Sequence, residues 1–149
     1  MSLDRIRLAS LHDKVMSAEQ AATFIQDGMT VGMSGFTRAG EAKAVPLALV
    51  KQAQTNPLKI TLITGASLGN DLDKQLTEAG VLARRLPFQV DNTLRKAINK
   101  GEVMFIDQHL SETVEQMRNL QLKKPDVAVI EAVAITEDGG IIPTTSVGN

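Results

Sequence analysis

Short, nearly continuous apolar runs alternate with helix-like stretches along this chain, and that alternation restricts the fold more than any other feature. The runs are Met29-Thr30-Val31-Gly32-Met33, Lys59-Ile60-Thr61-Leu62-Ile63-Thr64, Glu102-Val103-Met104-Phe105-Ile106-Asp107 and Val127-Ala128-Val129-Ile130-Glu131-Ala132-Val133. A strand with one wet face alternates apolar and polar side chains. A strand that is apolar throughout is buried on both sides, which in practice means a parallel sheet sandwiched between helices. The expected class is therefore α/β, a mainly parallel sheet with helices on both faces. With 149 residues, 43% of them hydrophobic, the chain suffices for one domain core spanning residues 1–149.

Helix signals fall between the runs. Residues Arg5 to Val15 mix charge and aliphatics and read as a short helix. Ser17 with Gln20 has capping-box spacing ahead of a helix from Ala18 to Gln26, closed by Gly28. Val45 to Ala53 tolerates Pro46 in its first turn. Asp71 to Ala79 ends at Gly80, Thr93 to Asn99 ends at Gly101, and Ser111 to Asn119 forms the last helix. Glu137-Asp138-Gly139-Gly140 reads as a hairpin turn into a short strand at Ile141-Ile142.

Composition removes several function classes. A net charge of −1, with basic residues scattered along the chain, offers no electrostatic footprint for nucleic acid. Four Phe, with neither Trp nor Tyr, leave few platforms for stacking bases. The absence of Cys excludes disulfides, a thiolate nucleophile and zinc thiolate sites, and suits a cytoplasmic setting. Charges interrupt the N-terminus Met1-Ser2-Leu3-Asp4-Arg5-Ile6-Arg7, unlike a signal peptide. No apolar run reaches the roughly 18 residues of a membrane-spanning helix. No partnership with membranes is expected.

In open parallel sheets ligands sit in the crevice beyond the carboxyl ends of the strands. Two glycine-bearing loops fall there. The first is Ser34-Gly35-Phe36-Thr37-Arg38-Ala39-Gly40, and the second begins Gly65-Ala66-Ser67-Leu68-Gly69-Asn70. Glycines let backbone N–H groups approach an anion or a carbonyl oxygen, and hydroxyls add donors. The first loop has neither dinucleotide-binding nor Walker spacing. Each loop admits two readings, an ordinary turn or a ligand loop.

Other candidates are weaker. His12 reads as a surface residue. Asp107 and His109 can approach one ligand, or His109 can make a structural hydrogen bond; one Asp with one His is no metal site. Glu131, inside an apolar run, needs either a function or a backbone or Arg partner. Arg84-Arg85 suits contact with a phosphate or a carboxylate, or a solvated or interface position.

Several segments together resemble the acetyl-CoA hydrolase/transferase family, class I CoA-transferases acting on acetate, propionate and succinate. They are Ser34 to Thr37 with Ala39-Gly40 and Lys43 to Pro46, then Leu62 to Ser67, then Arg95 to Gly101 and Asp107 to Ser111. Val129 to Ala132, Ile135 to Gly140 and Thr144 to Asn149 complete the series in the same order. The resemblance implies the N-terminal domain of the fold shared by CoA-transferases and ribose-5-phosphate isomerase. Family members run to several times this length and carry two related α/β domains.

The family's mechanism is ping-pong. A glutamate attacks acyl-CoA, an acyl–glutamyl anhydride forms, and CoA returns to give a glutamyl–CoA thioester that passes its CoA to an incoming carboxylate. That glutamate belongs to the second half of family chains, and Glu131 does not match it. The resemblance thus implies no catalytic residue here. It places Gly35, Phe36, Thr37, Gly40, Gly65, Ala66 and Ser67 at the acyl group or the active-site cleft. Arg38 departs from the small residue or Pro usual at its position. The implied partners are acyl-CoA and a short-chain carboxylate, with CoA as substrate, no permanently bound cofactor or metal, and a homodimer for the full-length protein. The chain closes on Thr144 to Asn149 straight after the hairpin, which reads as the opening domain of a larger protein, inactive alone. A non-catalytic binding or assembly module, or one subunit of a split CoA-transferase, is the alternative.

Overall fold

The computed structural model describes residues 3–67, 72–145 and 148. Met1, Ser2, Leu68 to Asn70 of the second loop, Asp71, and Ser146, Val147 and Asn149 of the last motif lie outside the described residues.

Five parallel strands build the main sheet: β1 (Thr30–Met33), β2 (Ile60–Ile63), β3 (Leu82–Leu86), β4 (Met104–Phe105) and β5 (Val127–Val129). Their spatial order is β4-β3-β2-β1-β5. From β1 to β4 the chain steps always in one direction. It then returns across the sheet to place β5 on the other side of β1. Since parallel crossovers are right-handed, the two directions put their helices on opposite faces. Helices α2 (Ala44–Ala53), α3 (Leu72–Glu78) and α4 (Asn92–Asn99) share one face with α1 (Ala18–Ala22). There Leu49, Leu76 and Leu94 pack on Val31, Leu62 and Leu82 in the main core. Helix α5 (Leu110–Arg118) precedes β5, and its Met117 lines a cavity on the opposite face with Gly32 and Ala128.

Local signals explain most element ends. The Ser17 hydroxyl accepts from Gln20 N–H at 3.1 Å while Gln20 Oε1 accepts from Ser17 N–H at 3.0 Å, a complete capping box. Asp91 caps α4 by accepting from Leu94 N–H at 2.9 Å. Gly80 and Gly101 follow α3 and α4 with φ of +69° and +75°, the left-handed closure that glycine takes without a Cβ clash.

Four expectations are corrected. Residues Arg5 to Val15 form no single helix; two short 3₁₀ turns, Leu3–Arg5 and Ala9–Lys14, occupy the region. Helix α1 stops at Ala22, four residues early, because Gly28 N–H is drawn to Lys59 O at 2.8 Å, beside β2. The apolar run from Val127 to Val133 is not one strand. It breaks at Ile130-Glu131, and β6 (Ala132–Ile135) pairs antiparallel with β7 (Ile141–Pro143) in a separate hairpin. Finally, β3 is a strand that the sequence pattern conceals, because Arg84 and Arg85 interrupt its apolar residues.

Candidate functional site

Strands β1 and β5 are neighbours whose connections leave in opposite directions, so the sheet has its topological switch point at their carboxyl ends. The first glycine loop is tied to that point. Ser34 N–H donates to Val129 O at 2.9 Å, and the buried Ser34 hydroxyl donates to Gly40 O at 2.6 Å. The same oxygen accepts from Glu131 N–H at 2.9 Å. Gly35 has φ of +147°, and a Cβ there would lie 3.3 Å from Glu41 Cα, so this close approach requires glycine. Phe36 and Ala39 exchange both backbone hydrogen bonds at 2.9 Å, leaving Thr37 and Arg38 as a two-residue turn. Thr37 holds φ of +56°, a strained conformation for a β-branched residue that neighbouring contacts must maintain.

Those contacts come from the second loop. Thr37 N–H donates to Ala66 O at 2.8 Å, and Thr37 bridges Ser67 in parallel fashion. Ser67 is fully buried, and its hydroxyl donates to Glu41 Oε1 at 3.2 Å. Gly65 O accepts both the Thr64 hydroxyl and Ser67 N–H, each at 2.8 Å. Among the described residues, no hydrogen bond uses the N–H of Gly35, Gly65 or Ala66. Backbone N–H groups gathered beyond strand ends are the kind of donor an oxygen-binding site uses.

Gly148 also stands against both loops. A Cβ built on it (φ +81°) would fall 2.5 Å from Gly35 O and 2.9 Å from Gly65 Cα, so there is no room for a side chain at this position. Glu131 is held from two sides. Its Oε2 accepts from Lys43 Nζ at 2.7 Å and its Oε1 from the Thr144 hydroxyl at 2.8 Å. The Lys43 hydrogen bond, then that from Thr144, draws the Glu131 carboxyl below its ordinary range. Lys43 Nζ also donates to Glu41 O at 2.9 Å.

The structure thus gathers Gly35, Thr37, Gly40, Gly65, Ala66 and Ser67, with Phe36 exposed at the foot of the two-residue turn. Sequence reasoning missed Glu41, Lys43 and Gly148. Lys43 and Gly148 both stand inside motifs that carry the family resemblance, but nothing local signals that Gly148 returns to Gly35. The Glu131 carboxylate has Lys43 and Thr144 as donors, not the Arg or backbone partner expected. His109 lies at the start of α5, exposed, with Nδ1 3.1 Å from Ser111 Oγ. His12 is exposed, its Nε2 2.7 Å from Ile6 O. Arg85 contacts a carboxylate, as one reading allowed, but that of Asp73 in this same chain, and both side chains are wholly buried. The solvated reading fails for Arg85.

Beside Glu41, a cavity of about 120 Å³ opens between the starts of α2 and α3, lined by Ala42, Lys43, Pro46, Leu47 and Leu72. Among the described residues, no three His, Asp or Glu side chains are grouped to hold a metal ion, and no helix is long and apolar enough to cross a membrane.

An open α/β domain whose glycine segments meet at the switch point is the class that fold and site define. The chain belongs to the acetyl-CoA hydrolase/transferase family, whose N-terminal domain model matches residues 2–149. It is 46% identical over 147 residues to the succinyl-CoA:acetate CoA-transferase of Clostridium kluyveri, covering 97% of this chain and 27% of that protein. It is 41% identical over 139 residues to the propanoyl-CoA:succinate CoA transferase of Escherichia coli, covering 90% of this chain and 28% of the relative. The acetyl-CoA hydrolase of Schizosaccharomyces pombe is 38% identical over 155 residues, with 97% and 30% covered. The chain therefore spans less than a third of the length of these relatives. The fold is shared with RipA from Yersinia pestis (TM-score 0.60, 17% identity, 83% of this chain and 30% of that one). It is also shared with an acyl-CoA transferase of Escherichia coli O157:H7 (TM-score 0.54, 18% identity, 70% and 24%).

Proposed function

We propose that residues 1–149 form the first of two related α/β domains of an enzyme of acyl-CoA metabolism. The enzyme moves CoA between short-chain acyl-CoA and acetate, propionate or succinate, or hydrolyses acetyl-CoA. One observation carries the reading: Gly35, Gly65 and Gly148 meet beyond the carboxyl ends of β1 and β2, beside backbone N–H groups that no described acceptor uses. Such groups suit a thioester or carboxylate oxygen, whose charge grows as a nucleophile adds to its carbon.

The nucleophile is a glutamate outside this chain. It attacks the acyl carbon, expelling the CoA thiolate and forming an acyl–glutamyl anhydride. The thiolate then attacks the glutamyl carbonyl, releasing the carboxylate and leaving a glutamyl–CoA thioester. An acceptor carboxylate, or water in the hydrolases, takes the enzyme onward. Gly35, Gly40, Gly65 and Ala66 orient the acyl or carboxylate oxygen, Ser67 supports them from within through Gly65 O and Glu41, and Phe36 and Thr37 border the cleft. The full-length enzyme acts as a homodimer.

Two measurements test this. Acetyl-CoA or propionate should raise the melting temperature of the purified chain, since a ligand that binds only the folded state stabilises it. The chain alone should transfer no CoA. Transfer at a rate comparable with a full-length relative would overturn the proposal.

A further inference from the structure

Between β2, α3 and β3 lies a charged pair that no surface role explains. The Arg85 and Asp73 side chains are both 0% exposed. Arg85 Nε donates to Asp73 Oδ1 at 2.8 Å and Nη2 to Asp73 Oδ2 at 3.2 Å. Nη1 donates to Leu86 O, and Nη2 also reaches the Thr64 hydroxyl oxygen at 2.7 Å. Burying two charges is costly, and well-packed apolar side chains often replace such a pair without loss of stability. Its hydrogen bonds lead towards the site. The Thr64 oxygen accepts from the guanidinium, so its own proton is free to go forward, and it goes to Gly65 O at 2.8 Å.

We infer that Arg85 is a positioning residue for the second glycine loop, acting through Thr64 on the Gly65–Ala66 peptide. A trans peptide holds its C=O and N–H on opposite sides. With Gly65 O turned inward to the Thr64 hydroxyl and Ser67 N–H, the Ala66 N–H must face away from the buried network. It is one of the N–H groups without a described acceptor. Gly65 lacks the Cβ that would bias its own dihedrals, so this peptide can turn over cheaply unless something outside it fixes the orientation. The guanidinium does so by claiming both lone-pair geometry and proton direction at Thr64. Asp73 in turn fixes the guanidinium fork, a planar task that a lysine ammonium cannot perform. Ser67, whose buried hydroxyl donates to Glu41, and Thr37, donating to Ala66 O, hold the residues that follow Gly65.

The ligand consequence rests on the function proposed above; the peptide orientation does not. The test is the amide spectrum of the ¹⁵N-labelled chain, with and without acetate or propionate. Thr64→Val removes the hydroxyl at nearly constant volume, and Thr64→Ser keeps it. Thr64→Val should displace or double the Ala66 amide signal without any ligand, while Thr64→Ser leaves it single. Carboxylate binding should weaken by up to about tenfold in Thr64→Val and recover in Thr64→Ser, the span expected for one hydrogen bond. Should Thr64→Val fail to fold, Arg85→Lys keeps the charge beside Asp73, loses the fork to Thr64, and should displace the same signal. An Ala66 amide unmoved in a folded Thr64→Val or Arg85→Lys chain, with only the melting temperature lowered, would reduce Arg85 to a structural role and overturn the inference. A displaced Ala66 amide in a chain whose wild type ignores carboxylates supports the positioning role and removes the proposed function instead.

Discussion

Two ion pairs flank the glycine segments, in opposite environments. Arg85–Asp73 is sealed inside the domain beneath Gly65, with 0% of either side chain exposed. Lys43–Glu131 sits at the rim, with 60% and 31% exposed, and Glu131 also accepts from the Thr144 hydroxyl. The buried pair has no competing water and cannot exchange partners without breaking several hydrogen bonds at once. The rim pair trades its bonds with solvent and is screened by salt. The comparison teaches that the hydrogen bonds behind Thr64 and Gly65 are fixed in a dry interior, whereas the contact between Glu131 and Thr144 is latched in a way that solution conditions can release.

The largest effect should come from the buried pair. Asp73→Ala strands a guanidinium in the interior and should cost about 3–5 kcal/mol, read as a lower urea midpoint. If it costs no more than the loss of the rim pair, the contrast between the two is wrong. Gly148→Ala comes next. Its methyl group would overlap Gly35 O, so the three glycines must move apart and the amide signals of Gly35 and Gly65 should shift, with little change in core stability. Unshifted signals would mean that the three glycines do not meet in solution.

Glu131→Gln should be mildest, about 0.2–1 kcal/mol, and should shrink further in high salt, as exposed pairs do. The pair also gives a pH test. Because Lys43 and Thr144 depress the Glu131 carboxyl, its contribution is present in full above the ordinary glutamate range. It fades as pH falls below that range, through the lowered folded value. Stability measured from neutral pH downward should therefore fall more steeply in the wild type than in Glu131→Gln. Parallel curves would show that Glu131 forms no latch.

Much of the fold was legible because its causes are local. The capping box at Ser17, the cap-closing glycines and the apolar runs of β1 and β2 each act within a few residues, and the elements appear where those signals stand. The two glycine loops were legible as a pair because a parallel sheet carries both to the same end. Strand β3 was hidden for the opposite reason. Arg85 is tolerable in a buried strand only because Asp73, twelve residues earlier, arrives from α3 with a matching carboxylate. The apolar run at Val127 to Val133 likewise gave no hint of its break. Ser34, 97 residues before Glu131, claims the Glu131 N–H, and the chain leaves the sheet there.

The amino-acid sequence by itself determined the class of fold, most of its elements, the family and the glycines that admit close backbone approach, because periodicity, capping and Cβ absence are properties of short stretches. Only the tertiary structure decided that Gly148 stands against Gly35 and Gly65, that Thr37 is held in a strained turn by Ala66, and that a buried guanidinium underlies the second loop. Those contacts join residues far apart in the chain. Their free energy arises from mutual exclusion of water and matched hydrogen bonds, which no single segment carries alone.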